Sequence, residues 1–170
     1  MLENPEPEAK ALAKHKHQDH SPAGALAGAD ELCGKRGVKL TDMRRAVLKA
    51  LIGSNKALGA YDLIEAAAVS GKRRPAPVQI YRALDFLMEH GLAHRIESRN
   101  AFVACPHHHA AHETVVFFIC EACNRVQEEA SEAMRASLAA LAKKQRFRPV
   151  SNIIEVAGRC AGCVETTLSA

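Results

Sequence analysis

Between residues 41 and 90 apolar positions recur every three or four residues, in three runs. Met43, Val47, Ala50 and Leu51 make the first, and that spacing puts them on one face of a helix. Thr41 stands where an N-cap belongs, with Asp42 and Met43 in the first turn. Asn55-Lys56 reads as a loop. The second run starts near Ala60 and turns Leu63, Ile64 and Ala67 inward until Ser70-Gly71 ends it. A basic loop, Lys72-Arg73-Arg74, leads through Pro75 to Pro77, a residue suited to a first helical position. The third run reaches from Pro77 to His90, with Ile80, Leu84, Leu87 and Met88 sharing a face. Gln79, Arg82 and Glu89 point away from it, and Gly91 is the stop. Upstream, a short helix is expected over 24–33, broken by Gly34 and Gly37, with the lone Cys33 serving as a small hydrophobe.

After Gly91 the pattern changes to that of strands. Residues 92–105 predict two short strands about Arg99-Asn100. Three helices with short connections, the third amphipathic and preceded by basic residues, followed by a two-stranded wing, predict a winged helix-turn-helix. If Arg99-Asn100 is a two-residue turn, residue 98 faces 101 and His94 stands opposite Cys105, with Cβ atoms about 4.5–5.5 Å apart. Further on, Thr114–Ile119 is a β-branched and aromatic strand, Cys120-Glu121-Ala122-Cys123 a turn, and Arg125–Glu128 a second strand. Residues 131–146 predict a helix with Met134, Leu138 and Leu141 on one face. A third strand, Asn152–Ala157, leads to Cys160-Ala161-Gly162-Cys163. The fold class is α+β: a tail at 1–22, a winged helix at 23–105, a hinge at 106–113 and a small α/β unit at 114–170.

Composition narrows the function. The tail is rich in Glu, Lys, Pro and His without apolar periodicity, so it is expected to be disordered; His15, His17 and His20 read as part of a solvated segment. A formal charge of +4 permits nucleic acid without requiring it. No basic-apolar-cleavage pattern opens the chain and no apolar run is long enough to span a bilayer, which points to a cytoplasmic protein without membrane contact. Disulfides are rare in that compartment, so the six Cys point to metal or redox chemistry.

Two groups of ligand-type residues stand out. Cys120-x-x-Cys123 and Cys160-x-x-Cys163 each follow a strand, where a tight turn lets two sulfurs face one point. Four thiolates suit a closed tetrahedral zinc site, which would tie the first strand of the unit to its last. A reducible disulfide pair or an iron site are the competing readings. The second group is His94, Cys105, a histidine from His107, His108, His109 and His112, and Glu128. One thiolate and one carboxylate neutralise a zinc ion and two imidazoles complete four ligands; the thiolate disfavours magnesium and manganese. Against this, the histidine run is also compatible with a solvated linker.

The order of winged helix, histidine-rich hinge and two C-x-x-C pairs resembles the ferric uptake regulator family, over residues 35–165. Ile80-Tyr81-Arg82-Ala83-Leu84-Asp85-Phe86-Leu87 is similar to the family's recognition-helix motif. His94-Arg95-Ile96-Glu97-Ser98, Phe102-Val103-Ala104-Cys105 and Phe118-Ile119-Cys120-Glu121-Ala122-Cys123 are most similar to its zinc uptake branch. The resemblance implies a dimeric, zinc-responsive repressor of zinc-uptake genes that binds AT-rich inverted repeats in double-stranded DNA. It implies two Zn2+ per chain, one structural on the four Cys and one regulatory on His94, Cys105, His112 and Glu128, and it makes the 114–170 unit a dimerisation domain. Iron regulators carry a His-x-His close before the first C-x-x-C, where this chain has Glu113-Thr114-Val115-Val116.

For DNA, the same resemblance nominates Tyr81 and Arg82 on the recognition helix and Tyr61 on the helix before it. Arg reads guanine bidentately and an aromatic ring packs on a thymine methyl. Lys39, Arg73 and Arg74 are phosphate candidates, which position without specifying sequence. Two other readings remain open at this point: an iron- or peroxide-responsive regulator of the same fold, and, more remotely, a zinc enzyme, which would need an open coordination position for water.

Overall fold

The computed structural model describes residues 22–68, 74–105, 114–150 and 152–168. Its helical half comprises α1 (Pro22–Lys35), α2 (Asp42–Ile52), α3 (Ala60–Ala66) and α4 (Pro77–Glu89), followed by the hairpin β1 (Ala93–Ile96) and β2 (Ala101–Ala104). The second half is β3 (Thr114–Cys120), β4 (Val126–Ala130), α5 (Glu132–Lys144), β5 (Asn152–Gly158) and α6 (Ala161–Leu168). The predicted helices and strands are present; α1 is two residues longer at each end than expected, and α6 has no counterpart among the expected elements.

The helical half closes around Val47, Leu48 and Leu51 of α2, Leu63 of α3, and Ile80, Leu84 and Leu87 of α4, with Ala93 and Phe102 of the hairpin beneath them. Cys33 is buried in this core, as a small hydrophobe would be. Arg45 of α2 forks onto Asp30 of α1, with Nη1 at 2.6 Å from Oδ2, and so holds the first helix against the rest. Thr41 is the N-cap of α2, but its side chain makes no capping bond. Pro77 occupies the first turn of α4, and Gln79 Oε1 accepts from the Ala76 N–H at 2.9 Å. Gly91 has φ +67°, a conformation costly for other residues; it lets the Leu92 N–H return to Leu87 O at 2.7 Å and turns the chain into β1. α3 ends at Ala66, earlier than predicted; the expected stop, Ser70-Gly71, lies outside the described residues.

The wing corrects one expectation. The register pairs Ala93 with Ala104, His94 with Val103, Arg95 with Phe102 and Ile96 with Ala101. His94 is therefore not directly opposite Cys105, because the connection is four residues, not two. Glu97–Arg99 wind a single 3-10 turn and Asn100 closes it in the left-handed region, φ 47°. A tight two-residue loop needs positive φ at both central residues, which Arg99 resists. The slip is two residues, so every side chain keeps its face. His94 and Cys105 remain on one face, on the diagonal.

β3 is the centre of the second sheet, antiparallel to β4 and parallel to β5. Val115, Phe117 and Ile119 of β3 form a smaller core with Ile96 of the wing. The two halves also touch through an isolated bridge between Lys56 and Arg125, with the Val126 N–H donating to Asn55 O at 3.2 Å. α5 packs against β3 but buries none of its residues completely: Met134 and Leu141 are exposed.

Candidate metal centres and nucleic-acid face

The strand ends build the first centre. Cys120 terminates β3, and Asn124 takes φ 59° so that the chain reverses within four residues. The Asn124 N–H donates to Cys120 O at 2.9 Å, and the Cys120 N–H to Arg125 O at 2.9 Å. β5 delivers the second pair: the Glu121 N–H donates to Gly158 O at 2.8 Å, and the Cys163 N–H to Cys160 O at 2.9 Å. The four sulfurs of Cys120, Cys123, Cys160 and Cys163 lie within 4.8 Å of one another. Cys123 Sγ and Cys160 Sγ are 3.8 Å apart. A tetrahedron with zinc–sulfur distances of about 2.3 Å has an edge of about 3.8 Å, so the spacing fits this ion.

The four thiols do not share one acidity. The Cys120 thiol is pulled down to about 6, chiefly by the backbone N–H of Cys160, which donates to its sulfur at 3.3 Å, and by that of Cys123. The Cys163 thiol is pushed up to about 12 by hydrogen bonds with Cys160, Cys123 and Cys120. One sulfur carries the charge and its neighbours resist adding more until a cation compensates. None of the six cysteines is joined in a disulfide, so the disulfide reading of the two pairs finds no support here.

The second centre bridges the halves. His94 on β1 and Cys105 just after β2 meet Glu128 on β4, with one ligand atom from each inside a 4.8 Å group. Cys105 is buried, and its Sγ is 3.8 Å from Glu128 Oε1. Zinc bonds of about 2.3 Å to sulfur and about 2.1 Å to oxygen separate those atoms by about 3.6 Å in a tetrahedron. The His94 ring lies against Phe117, centroids 5.3 Å apart and tilted by 59°. Phe117 pairs with Glu128 across the sheet, so the strand that packs on one ligand also sets the register of another. The expected fourth ligand, His112, and its rivals His107, His108 and His109 lie outside the described residues.

A third contact at this junction had no motif to announce it. Glu155 of β5 accepts the N–H of Glu97 at 2.7 Å and that of Ser98 at 3.1 Å. Burial raises the pKa of its carboxyl, but the bonds from Ser98 and Glu97 outweigh it and hold the group below its ordinary value.

The face that would meet DNA is open. Tyr61 is 81% exposed and Tyr81 46%, and Arg82 is exposed too. Tyr81 is thus not a core residue. Val78, at the start of α4, is also exposed. Lys39 is exposed, whereas Arg74 is paired with Glu65 at 2.8 Å; Arg73 lies outside the described residues.

Known proteins match this arrangement. The model of the ferric uptake regulator family matches residues 35–157. The chain is 39% identical over 140 residues to the zinc uptake regulation protein of Escherichia coli (strain K12), covering 82% of this chain and 81% of that protein. It superposes on a zinc uptake regulator complexed with zinc and DNA with a TM-score of 0.81 and 36% identity, over 87% of this chain and 98% of that one. Holo XcZur gives a TM-score of 0.74 and 37% identity, over 82% and 96% of the two chains.

Proposed function

The chain belongs to the ferric uptake regulator family, and on that premise we propose that it is a zinc-responsive transcriptional repressor that binds operator DNA as a dimer when zinc-loaded and represses zinc-uptake genes. One observation carries the reading. Ligand atoms from the wing, on His94 and Cys105, gather with one from the second sheet, on Glu128. They do so in a chain whose fold resembles that of a regulator solved with zinc and DNA.

We assign Cys120, Cys123, Cys160 and Cys163 to a structural zinc, and His94, Cys105, His112 and Glu128 to a regulatory one, two per chain. Bound zinc supplies the positive charge at which thiolate, imidazole and carboxylate can converge. The residues themselves do the rest. Residues 23–105 read DNA, 114–170 dimerise, and 106–113 connect the two; ligands drawn from both sides of that connection fix the angle between them. A fixed angle in each protomer sets the spacing of two α4 helices, which must enter major grooves about 34–36 Å apart. Tyr61, Tyr81 and Arg82 then face base edges of an AT-rich inverted repeat. Lys39, Arg73 and Arg74 take phosphates, Arg74 by exchanging its partner Glu65. Phe118 and Val156, paired across the sheet and both exposed, together with exposed Ile153 on the same strand as Val156, support a dimer. No described helix is long and apolar enough to cross a membrane, and six cysteines without a disulfide suit the cytoplasm. We read the second centre as sensing rather than catalytic, because its ligands divide between two structural units.

The test is a DNA-binding titration in metal buffers, by fluorescence anisotropy, on duplexes selected from a random-sequence pool by the zinc-loaded chain. Cys105→Ala should keep one zinc per chain and lose the zinc response. Loss of both zincs, or unchanged DNA binding, overturns the reading, and a wild-type response to iron at lower free metal than to zinc replaces it with iron sensing.

A further inference from the structure

Glu128, Phe117 and Glu155 occupy one row of the second sheet: Phe117 pairs with Glu128 on β4 and with Glu155 on β5. Residues paired across a sheet point to the same side. This side carries the wing, since Ile96 is buried against Phe117. The row spans two strand spacings, about 10 Å, and the stretch of β1 from His94 to Glu97 is also about 10 Å long. One end of the row therefore meets the wing at His94 and Cys105, and the other meets it at the turn. At the turn end the contact is complete without any ion: the Glu155 carboxylate takes two successive backbone N–H groups, at 2.7 and 3.1 Å. The first N–H groups of a 3-10 turn have no partner inside the turn, so an outside acceptor is needed if they are to leave water. The turn is itself braced, with Arg95 Nη2 donating to Asn100 Oδ1 at 3.0 Å and Arg95 Nε 3.2 Å from Glu97 Oε2.

We propose that Glu155 is a positioning residue for metal sensing, a metal-independent anchor that holds the wing turn on the sheet so that the His94–Cys105–Glu128 centre is nearly assembled before zinc arrives. This rests on the zinc-sensing reading above. The anchor works through populations. A site present in only a fraction of molecules binds with an apparent Kd raised by the inverse of that fraction. Among the described residues Glu155 bonds to the turn and not to His94, Cys105 or Glu128, so removing it leaves those ligands in place and lowers the fraction that is ready. It also spares the four-cysteine centre, where zinc content should be unchanged.

Glu155→Gln keeps the size of the side chain but loses the charge and sets an amide donor against a backbone donor; Glu155→Ala removes both bonds. Two measurements apply to the full chain. Amide hydrogen exchange, with the regulatory zinc removed and the four-cysteine zinc retained, should show Glu97 and Ser98 protected in the wild type and faster in both variants. In buffered zinc, half-maximal DNA binding should need about tenfold more free zinc, a shift of about 1.4 kcal/mol, while affinity at saturating zinc stays at the wild-type level. Exchange unaffected by either substitution overturns the anchor. Equal loss at all zinc concentrations also overturns it, because a merely structural residue would behave so. A wild-type chain whose DNA binding ignores zinc overturns the sensing reading instead, and the exchange data then judge the anchor alone.

Discussion

Replacing Phe117 by Ala should separate the stabilities of the two halves. Phe117 is fully buried, at 0% exposure, and its companions in the second core are Ile96, Val115 and Ile119. Among the described residues the first core has sixteen buried members, none of them shared with the second. Truncating a core Phe to Ala costs about 3–5 kcal/mol, a large part of the roughly 5–15 kcal/mol that holds a whole domain. Most of that loss should fall on the sheet, because the helical half keeps its own core. The chain offers a clean pair of probes. It has two Tyr and no Trp, and both Tyr, Tyr61 and Tyr81, lie in the helical half. Tyrosine fluorescence therefore follows the helices, while thiolate charge-transfer absorption of cobalt in the four-cysteine centre follows the sheet. In urea, with a slope of about 2 kcal/mol per molar, the cobalt signal should move down by about 2 M and the tyrosine midpoint by much less. Zinc at a thousand times its Kd would return about 4 kcal/mol if the second centre assembled normally. Because the Phe117 ring supports His94, the recovery should be smaller. An equal shift of both probes, or a loss below about 1 kcal/mol in the sheet, would refute the reasoning.

Two further outcomes follow from the centres and the DNA face. Ligands must be deprotonated to bind metal, so zinc affinity at the four cysteines should weaken as pH falls. The four thiols titrate as one set, its most acidic member drawn down to about 6 by backbone N–H groups and its least acidic pushed up by the neighbouring sulfurs. Calorimetry in buffers of differing ionisation enthalpy should therefore show more protons released per zinc as pH falls through about 6, where the most acidic sulfur of the set takes up its proton; release independent of pH would contradict the reasoning. On DNA, Arg82→Ala should cost about 1–3 kcal/mol and relax sequence preference. Lys39→Ala should instead reduce the slope of log affinity against log salt by about 0.9 and leave preference unchanged.

The elements were legible because periodicity is strong on both sides of Gly91, and the four-cysteine centre was legible because both pairs follow strands. The wing register differs from the expected one by two residues: Arg99-Asn100 lacks the glycine that a tight loop wants, and only the coordinates reveal that Glu97 to Asn100 turn together. The ligand pair survived because strand faces repeat every two residues. Glu155 could not be found by reading along the chain. It looks like any polar residue of a strand, and its partners lie 57 and 58 positions away. The apolar face of α5 shows in the periodicity, but a single chain could not show that it would stay open. His112 lies outside the described residues, so its place as a ligand rests on resemblance alone.

The strand order β4–β3–β5 has one further consequence. It puts Glu128, assigned above as a ligand, and Glu155, proposed above as an anchor, on different strands, with the Phe117 ring between them. On the proposed assignments, changes at Glu128 would alter which ion is accepted, while changes at Glu155 would alter how much of it is needed. Selectivity and set point would thus sit on separate genetic dials. A lineage meeting scarcer or more abundant zinc could retune its threshold by substitutions in β5 and leave the ligand set untouched.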